Sequence, residues 1–398
     1  MARHLLRSAV VLGLLSSIGP FAIDMYLPAL PEIAAQLDTT VAATQTTLTG
    51  YFLAFGIAQM IYGPWADQSG RKVPLYVGLA IFLLGSIGCW LSPSIEWLTA
   101  SRTVQGLGAA VLMVVPRAII RDMHTGSEAT RLMALIMLVI SISPMLAPLA
   151  GSLIILFASW RGIFLALVVA GLIGLALTRF MLPETLADDA RRPMNLKSMI
   201  RGCRILVTDR MFMGLTFIGG FAMSSFFVFI ASASFVYTEQ YGLSPMGFSL
   251  AFAINAVGFF SASQMAAPIS DRIGMARTVS LGVTGFSIFS AILLFVTLAG
   301  WTTLPVLVGG LFISNACLGI VMPTTMVMAL DNHGDIAGLA SSLGGTLQMM
   351  VGGMMITIAS PFFNGTATPM VAVIALCGLI AACISALVLG RFRLTPIE

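Results

Sequence analysis

Residues 62–72 read YGPWADQSGRK and residues 266–277 read AAPISDRIGMAR, aligning Pro64 with Pro268, Asp67 with Asp271 and Gly70 with Gly274. Each segment closes a long apolar run, and the two runs hold the same place in the two halves of the chain. Repeated polar punctuation of this kind is what a duplicated six-helix unit leaves behind, and membrane transporters build a substrate path between such repeats. Reading outward from the pair therefore means asking whether the chain lives in lipid.

Composition says that it does. Of 398 residues, 58% are hydrophobic and only 9% charged, with a mean hydropathy of +0.99. A water-soluble domain carries roughly a quarter charged residues to solvate its surface. In hydrocarbon every backbone N–H and C=O needs an internal partner, which leaves helices and closed barrels as spanning structures. The apolar runs are about twenty residues long and lack the alternation of barrel strands, so helices are predicted.

Polar breaks divide these into twelve predicted spans near 5–27, 41–63, 73–93, 97–117, 131–156, 161–182, 211–236, 246–269, 278–299, 303–328, 336–360 and 368–390. The first is too long for a signal peptide, has no convincing small-residue cleavage site and is followed by many similar runs. The longest polar interval, Pro183 to Arg210, splits the chain almost in half. The expected layout is a six-helix bundle over 1–182, a cytoplasmic linker over 183–210 and a second bundle over 211–398.

Lys and Arg are retained on the cytoplasmic side of bacterial membrane proteins. With the N-terminus inside, one face collects Arg3, Arg7, Arg71, Lys72, Arg117, Arg121, Arg179, Lys197, Arg201, Arg204, Arg210, Arg272, Arg277 and others, and the opposite face has only Arg161. Both termini are then cytoplasmic. The net charge of +4 is a topological signal and does not indicate nucleic-acid binding. Cys89, Cys203, Cys317, Cys377 and Cys383 lack metal-ligand spacing, and His4, His124 and His333 fall at predicted helix ends or termini, so neither a disulfide framework nor a metal site is expected.

The sequence resembles the major facilitator superfamily, in particular its twelve-helix drug:proton antiporters of the bicyclomycin and chloramphenicol resistance type. The resemblance covers essentially the whole chain and is carried by DMYLPALP at 24–31, GPWADQSGRK at 63–72, RTVQGLGAA at 102–110 and PMLAPLAG at 144–151. It implies an all-α transmembrane fold of two six-helix bundles around a central cavity. Gly63, Asp67, Gly70, Arg71 and Lys72 match the superfamily pattern after the second helix, with Gln68 replacing a usual basic residue. The resemblance gives Asp67 the positive end of the eleventh helix as neighbour, and Arg71 could pair with Asp122 to make a latch for the outward-facing form. A plainer reading is a tight turn with topology-setting charges.

In the fifth predicted helix, Pro144, Ala147, Pro148 and Gly151 resemble the antiporter pattern G-x-x-x-G-P-x-x-G-G, with Ser143, Ala147 and Ser152 in place of three glycines. Small residues admit close helix contact and proline bends a helix, so the stretch reads as a hinge or as ordinary small-residue packing.

Asp24 and Arg102 lie inside apolar runs, where an ionisable residue is a functional candidate by default. At 1.5 Å per residue, Asp24 stands ~25 Å from the inner anchor Arg7 and Arg102 ~22 Å from Arg117, so the two could meet. Gln105 lies one turn deeper on the Arg102 face, and Gly106 and Gly108 would let the first and fourth helices come close. Burial raises a carboxylate's pKa and a guanidinium lowers it, so any change in that balance couples protons to conformation. The alternative is that Asp24 ends a helix before Pro28 and Pro31 with Arg102 as a structural partner.

The chain is rich in Met and Phe, 25 of each, and such side chains repack around ligands of different shapes. Tyr26, Tyr51, Phe55, Gln59, Gln105, Phe226, Asn255 and Gln348 are the candidate substrate contacts. The expected function is proton-driven export of apolar or amphipathic small molecules by a monomer with no cofactor but the proton and no partner besides substrate and membrane lipid. A proton symporter or a metabolite exporter of the same fold is the alternative. A membrane enzyme would need convergent acids, bases or metal ligands, and the helices supply essentially one carboxylate and no P-loop pattern.

Overall fold

The computed structural model describes residues 2–123, 126–191 and 196–390. It is helical, with no strand among the described residues. The chain divides into two units, Met1–Leu196 and Lys197–Glu398.

The first unit contains α1 (Ala2–Asp24), α2 (Leu30–Gln36), α3 (Val41–Ser69), α4 (Lys72–Trp90), α5 (Ile95–Ala109), α6 (Val111–Met123), α7 (Gly126–Phe157) and α8 (Arg161–Phe180). The second contains α9 (Leu196–Thr208), α10 (Arg210–Phe235), α11 (Pro245–Ile273), α12 (Met275–Leu298), α13 (Leu304–Asp331), α14 (Ala337–Ala359) and α15 (Ala367–Leu389).

Capping residues set the starts. Thr40 Oγ1 accepts from Ala43 N at 3.1 Å, Ser244 Oγ from Gly247 N at 3.1 Å, and Asp209 Oδ1 from Met211 N at 2.8 Å. Each satisfies a backbone donor that the first turn of a helix leaves unpaired. The repeat seen in the sequence is exact in register: α3 and α11 are each 29 residues long, with Pro64 and Pro268 at matching positions inside them. Both stop on a glycine of positive φ, Gly70 and Gly274 at +85°. The match ends there, because Met275 and Ala276 stand where the first unit has Arg71 and Lys72.

Eleven stretches of the described residues are long and apolar enough to cross a membrane, and aliphatic side chains such as Leu84, Leu172, Leu281 and Leu387 stand exposed on them. The chain is a multi-pass membrane protein. The remaining long helix, α3, coincides with the predicted second span but is not among the eleven, being interspersed with polar residues from Thr44, Gln45, Thr46 and Thr47 at its start to Gln59 further along. Thr44, Gln45 and Thr47 are fully buried, and the threonine hydroxyls donate to carbonyls of their own helix, Thr44 to Thr40 O and Thr47 to Thr44 O. Polar side chains satisfied in this way need no water.

Within the first unit α3 and α4 both pack on α5, and α1 packs on α7. Gly106 and Gly108 were expected to admit the first helix. Instead, a Cβ on Gly106 would strike the Tyr51 backbone in α3, and one on Gly108 the Gly78 and Phe82 backbone in α4. The predicted span 97–117 is interrupted at Ala110, where α5 hands over to α6, and the predicted first span ends three residues early at Asp24. Pro28 and Pro31 enforce that early stop: a short 3-10 turn, Leu27–Ala29, redirects the chain into α2. In the second unit α11 packs on α13, and α10 on α13, α14 and α15. The segment expected to be a plain linker contains α9.

Candidate functional site

Arg102, on α5, is fully buried. Its guanidinium lies 4.6 Å from the centre of the Tyr26 ring and 4.5 Å from that of Tyr51, with Phe164 of α8 at 6.0 Å. Aromatic faces stabilise a desolvated cation by about 2 kcal/mol each in favourable cases. Nη1 donates to Ala22 O at 2.9 Å and to Gln105 Oε1 at 2.5 Å. Gln105 Nε2 in turn donates to Ser86 Oγ at 2.8 Å, and Ser86 to Phe82 O. The rings are held too, since the Tyr26 hydroxyl bonds Thr47 Oγ1 at 2.9 Å and the Tyr51 hydroxyl donates to Gly19 O at 3.3 Å. Arg102 Nε and Nη2 are buried with no hydrogen-bond partner among the described residues.

Asp24, 5% exposed, is the last residue of α1. The ion pair expected with Arg102 is not formed, and among the described residues Asp24 makes neither a salt bridge nor a side-chain hydrogen bond. The early end of α1 explains this. Its last carbonyls have no intrahelical donor, and the arginine satisfies that of Ala22, two residues before the acid. Tyr26, Tyr51 and Gln105, expected to touch substrate, are fully buried around the guanidinium and position it. Phe55 stacks on Tyr51 at 6.0 Å, and Gln59 lies one turn further along α3, half-buried.

Where α3 meets α4, Arg71 is the centre of an ionic cluster. Its Nε and Nη2 reach Asp122 Oδ2 and Oδ1 at 2.7 and 3.1 Å, a two-pronged pair, and Nη1 reaches Asp67 at 2.5 Å. Although burial opposes the charge, the two carboxylates hold the Arg71 guanidinium above its ordinary pKa. Lys72 Nζ donates to Leu182 O at 2.8 Å, and Gly63 lies on the last turns of α3. The sequence reading missed Glu184, which accepts from Arg71 N at 2.9 Å and Lys72 N at 3.1 Å, and Thr185, whose hydroxyl donates to Asp122 at 3.0 Å. Gly70 makes room for this, since a Cβ there would stand 2.6 Å from Glu184 Oε2. The signal was present: Glu184 follows the sixth predicted span at the membrane edge where the cations gather.

Pro144, Ala147, Pro148 and Gly151 form one buried stripe on α7, and a Cβ on Gly151 would strike the Met25 carbonyl just past α1. In the second unit Phe226 stacks on Phe259 at 5.9 Å and lies 6.4 Å from Phe252. Asn255 stands at the register of Tyr51 in the repeat; it donates to Ala251 O at 3.1 Å and accepts from Asn315 Nδ2 at 3.4 Å. The Gln348 amide lies over Gly219 near Thr325. No group of three or more metal-binding side chains occurs among the described residues.

The model of the Major Facilitator Superfamily matches residues 12–357. The chain belongs to that superfamily. Among its superfamily relatives are the uncharacterized MFS-type transporter YdgK of Bacillus subtilis, 36% identical over 92% of this chain and 91% of its own, and a bicyclomycin resistance protein homolog of Haemophilus influenzae, 30% identical over 94% and 93%. Multidrug resistance protein D of Escherichia coli is 28% identical over 88% of each chain. The crystal structure of a D-xylose-proton symporter superposes with a TM-score of 0.73 over 96% of each chain at 16% identity, which shows the superfamily fold. The protein is therefore a transporter, and the Arg71 cluster lies within the matched residues.

Proposed function

We propose that this transporter exports apolar or amphipathic small molecules, antibacterial drugs among them, across the bacterial inner membrane in exchange for protons, with both termini in the cytoplasm. The observation that carries the reading is Asp24: an acid 5% exposed on a membrane-spanning helix, with no ion pair or hydrogen bond among the described residues. An acid so placed is expensive unless it does work, and it is the natural carrier of a transported proton. Arg102 supports the role, because its Nε and Nη2 remain available to an anion. A shift that brings Asp24 to those donors favours the carboxylate, and one that withdraws it favours the protonated acid.

The names of the relatives support drugs as substrates, since bicyclomycin, chloramphenicol and multidrug resistance proteins match over most of their length. In this reading the chain works as a monomer without a cofactor. The Arg71 cluster, with Gly63, Asp67, Gly70, Lys72 and Asp122, is a conformational latch, and the α7 stripe is the hinge. Phe226, Asn255, Gln348, Phe55 and Gln59 are the substrate contacts, with aromatic surface for affinity and amides for orientation.

The test is uphill drug transport in everted membrane vesicles under an imposed pH gradient, with Asp24→Asn expressed to wild-type levels. The variant is expected to bind drug yet fail to accumulate it. Gradient-driven accumulation by Asp24→Asn would remove the coupling role.

A further inference from the structure

One residue, Asp209, separates α9 from the membrane-spanning α10. That joint is fixed, because Asp209 Oδ1 caps α10 through Met211 N and Oδ2 bonds His333 Nε2 at 2.8 Å. A second tether lies further back: Gly202 packs under Leu339, in the first turn of α14. Between these two points α9 is held at the level where two spanning helices begin.

At roughly 100° per residue, Gly202 and Leu206 share the face turned to the protein, with Met199 and Cys203 beside them. The opposite arc carries Lys197, Arg201, Arg204 and Thr208, and Arg210 follows at once, all exposed. Flanking the buried face are aliphatic side chains that the protein leaves uncovered: Ile200 at 60% exposure, Val207 at 52% and Ile205 at 50%. Among the described residues none of the four cations has an ion pair, and the acid within reach in sequence, Asp209, is engaged with the α10 cap and His333.

An apolar flank beside an unpaired basic arc, fixed at membrane-entry depth, matches the surface of an anionic bilayer. We infer that α9 is an interfacial anchor that lies on anionic phospholipid, with Ile200 and Val207 in the acyl boundary and Lys197, Arg201 and Arg204 on headgroup phosphates. A juxtamembrane cation contributes roughly fivefold to partitioning at low salt, so three contribute on the order of 100-fold.

Hydrogen exchange of the 198–208 amides tests this on the full chain in nanodiscs, comparing phosphatidylcholine alone with equal parts phosphatidylcholine and phosphatidylglycerol. Exchange is expected to be several-fold slower with phosphatidylglycerol at low salt, and the difference to vanish at high salt and in the K197Q/R201Q/R204Q triple variant. Because those cations also orient the chain, I200S/V207S is the second variant, which keeps them and is expected to lose most of the protection. Equal exchange in the two lipids overturns the proposal, as does slowing that survives high salt, which would assign the face to protein packing.

Discussion

The guanidinium of Arg102 stacks 4.5 Å from the centre of the Tyr51 ring, and the buried cation is thereby held by aromatic faces, a backbone carbonyl and an amide instead of a carboxylate. This arrangement explains how the cation can be fully buried without a carboxylate partner. It also makes the planar shape of the side chain as important as its charge.

Arg102→Lys is therefore not a conservative change. An ammonium cannot lie flat between Tyr26 and Tyr51 while serving Ala22 O and Gln105 Oε1, so the variant is expected to lose about 2–3 kcal/mol. Thermal unfolding in detergent, compared with the wild type, measures it, and a change below the error of the method would contradict the cage.

The two repeats provide an internal control for backbone strain. Gly70→Ala and Gly274→Ala place a methyl group at the same φ of +85°, with ψ of 169° and 147°, a region that costs a non-glycine residue about 1–3 kcal/mol. Around Gly274 nothing lies within 4 Å of the added carbon, whereas at Gly70 it meets the Glu184 carboxylate. Gly70→Ala is expected to be the more destabilising, and to lower transport more in a side-by-side vesicle assay.

Burial raises the pKa of Glu184, but the N–H groups of Arg71, Lys72, Leu186 and Thr185 outweigh it and hold the carboxyl below its ordinary 4.5. A folded pKa below the unfolded one means stability that is complete above the unfolded value and lost as pH falls through the folded one. Glu184→Gln is expected to lose about 1–2 kcal/mol at neutral pH and to converge on the wild type in strong acid. Denaturation at a series of pH values reads the convergence, and a gap that stays constant into acid would deny the carboxylate its part.

Gly151→Ala probes the contact of α7 with the turn after α1. The added methyl strikes a backbone carbonyl, which cannot swing aside as a flexible side chain can, so overpacking of about 1–3 kcal/mol is expected. Gly309→Ala, which has open space around it, serves as the control with a change near zero or slightly stabilising.

The repeat, the all-helical character and the Arg71–Asp122 pair were legible in the sequence because each follows from local pattern: apolar length, a glycine punctuating a turn, opposite charges at one membrane edge. What was not legible depends on where a helix stops. Reading the first span through to Leu27 placed Asp24 in its last turn opposite Arg102; the alternative, a helix ending at Asp24 before the two prolines, matches α1, but the arginine meets the main-chain oxygen of Ala22 and not the acid. Likewise Gly106 and Gly108 announced a close contact but not with which helix, since small residues state how near a neighbour comes and not its identity. The α9 helix was hidden by its charges, which the apolar-run criterion treats as loop although their spacing follows the helical period. Glu184 was marked in the sequence only by its place beside the gathered cations, because it binds Arg71 and Lys72 through their main-chain N–H groups and not their charges.

The bond from Arg102 to Ala22 O has a wider consequence. The arginine serves as a stopper on the open end of α1 through Nη1 alone, so Nε and Nη2 can receive an anion while the end stays closed, and only displacement of Nη1 leaves the Ala22 carbonyl bare. Under the proposed coupling, an anion at position 24 that drew Nη1 away would be reported mechanically, as loosening of the terminal turn of the very helix that carries the acid.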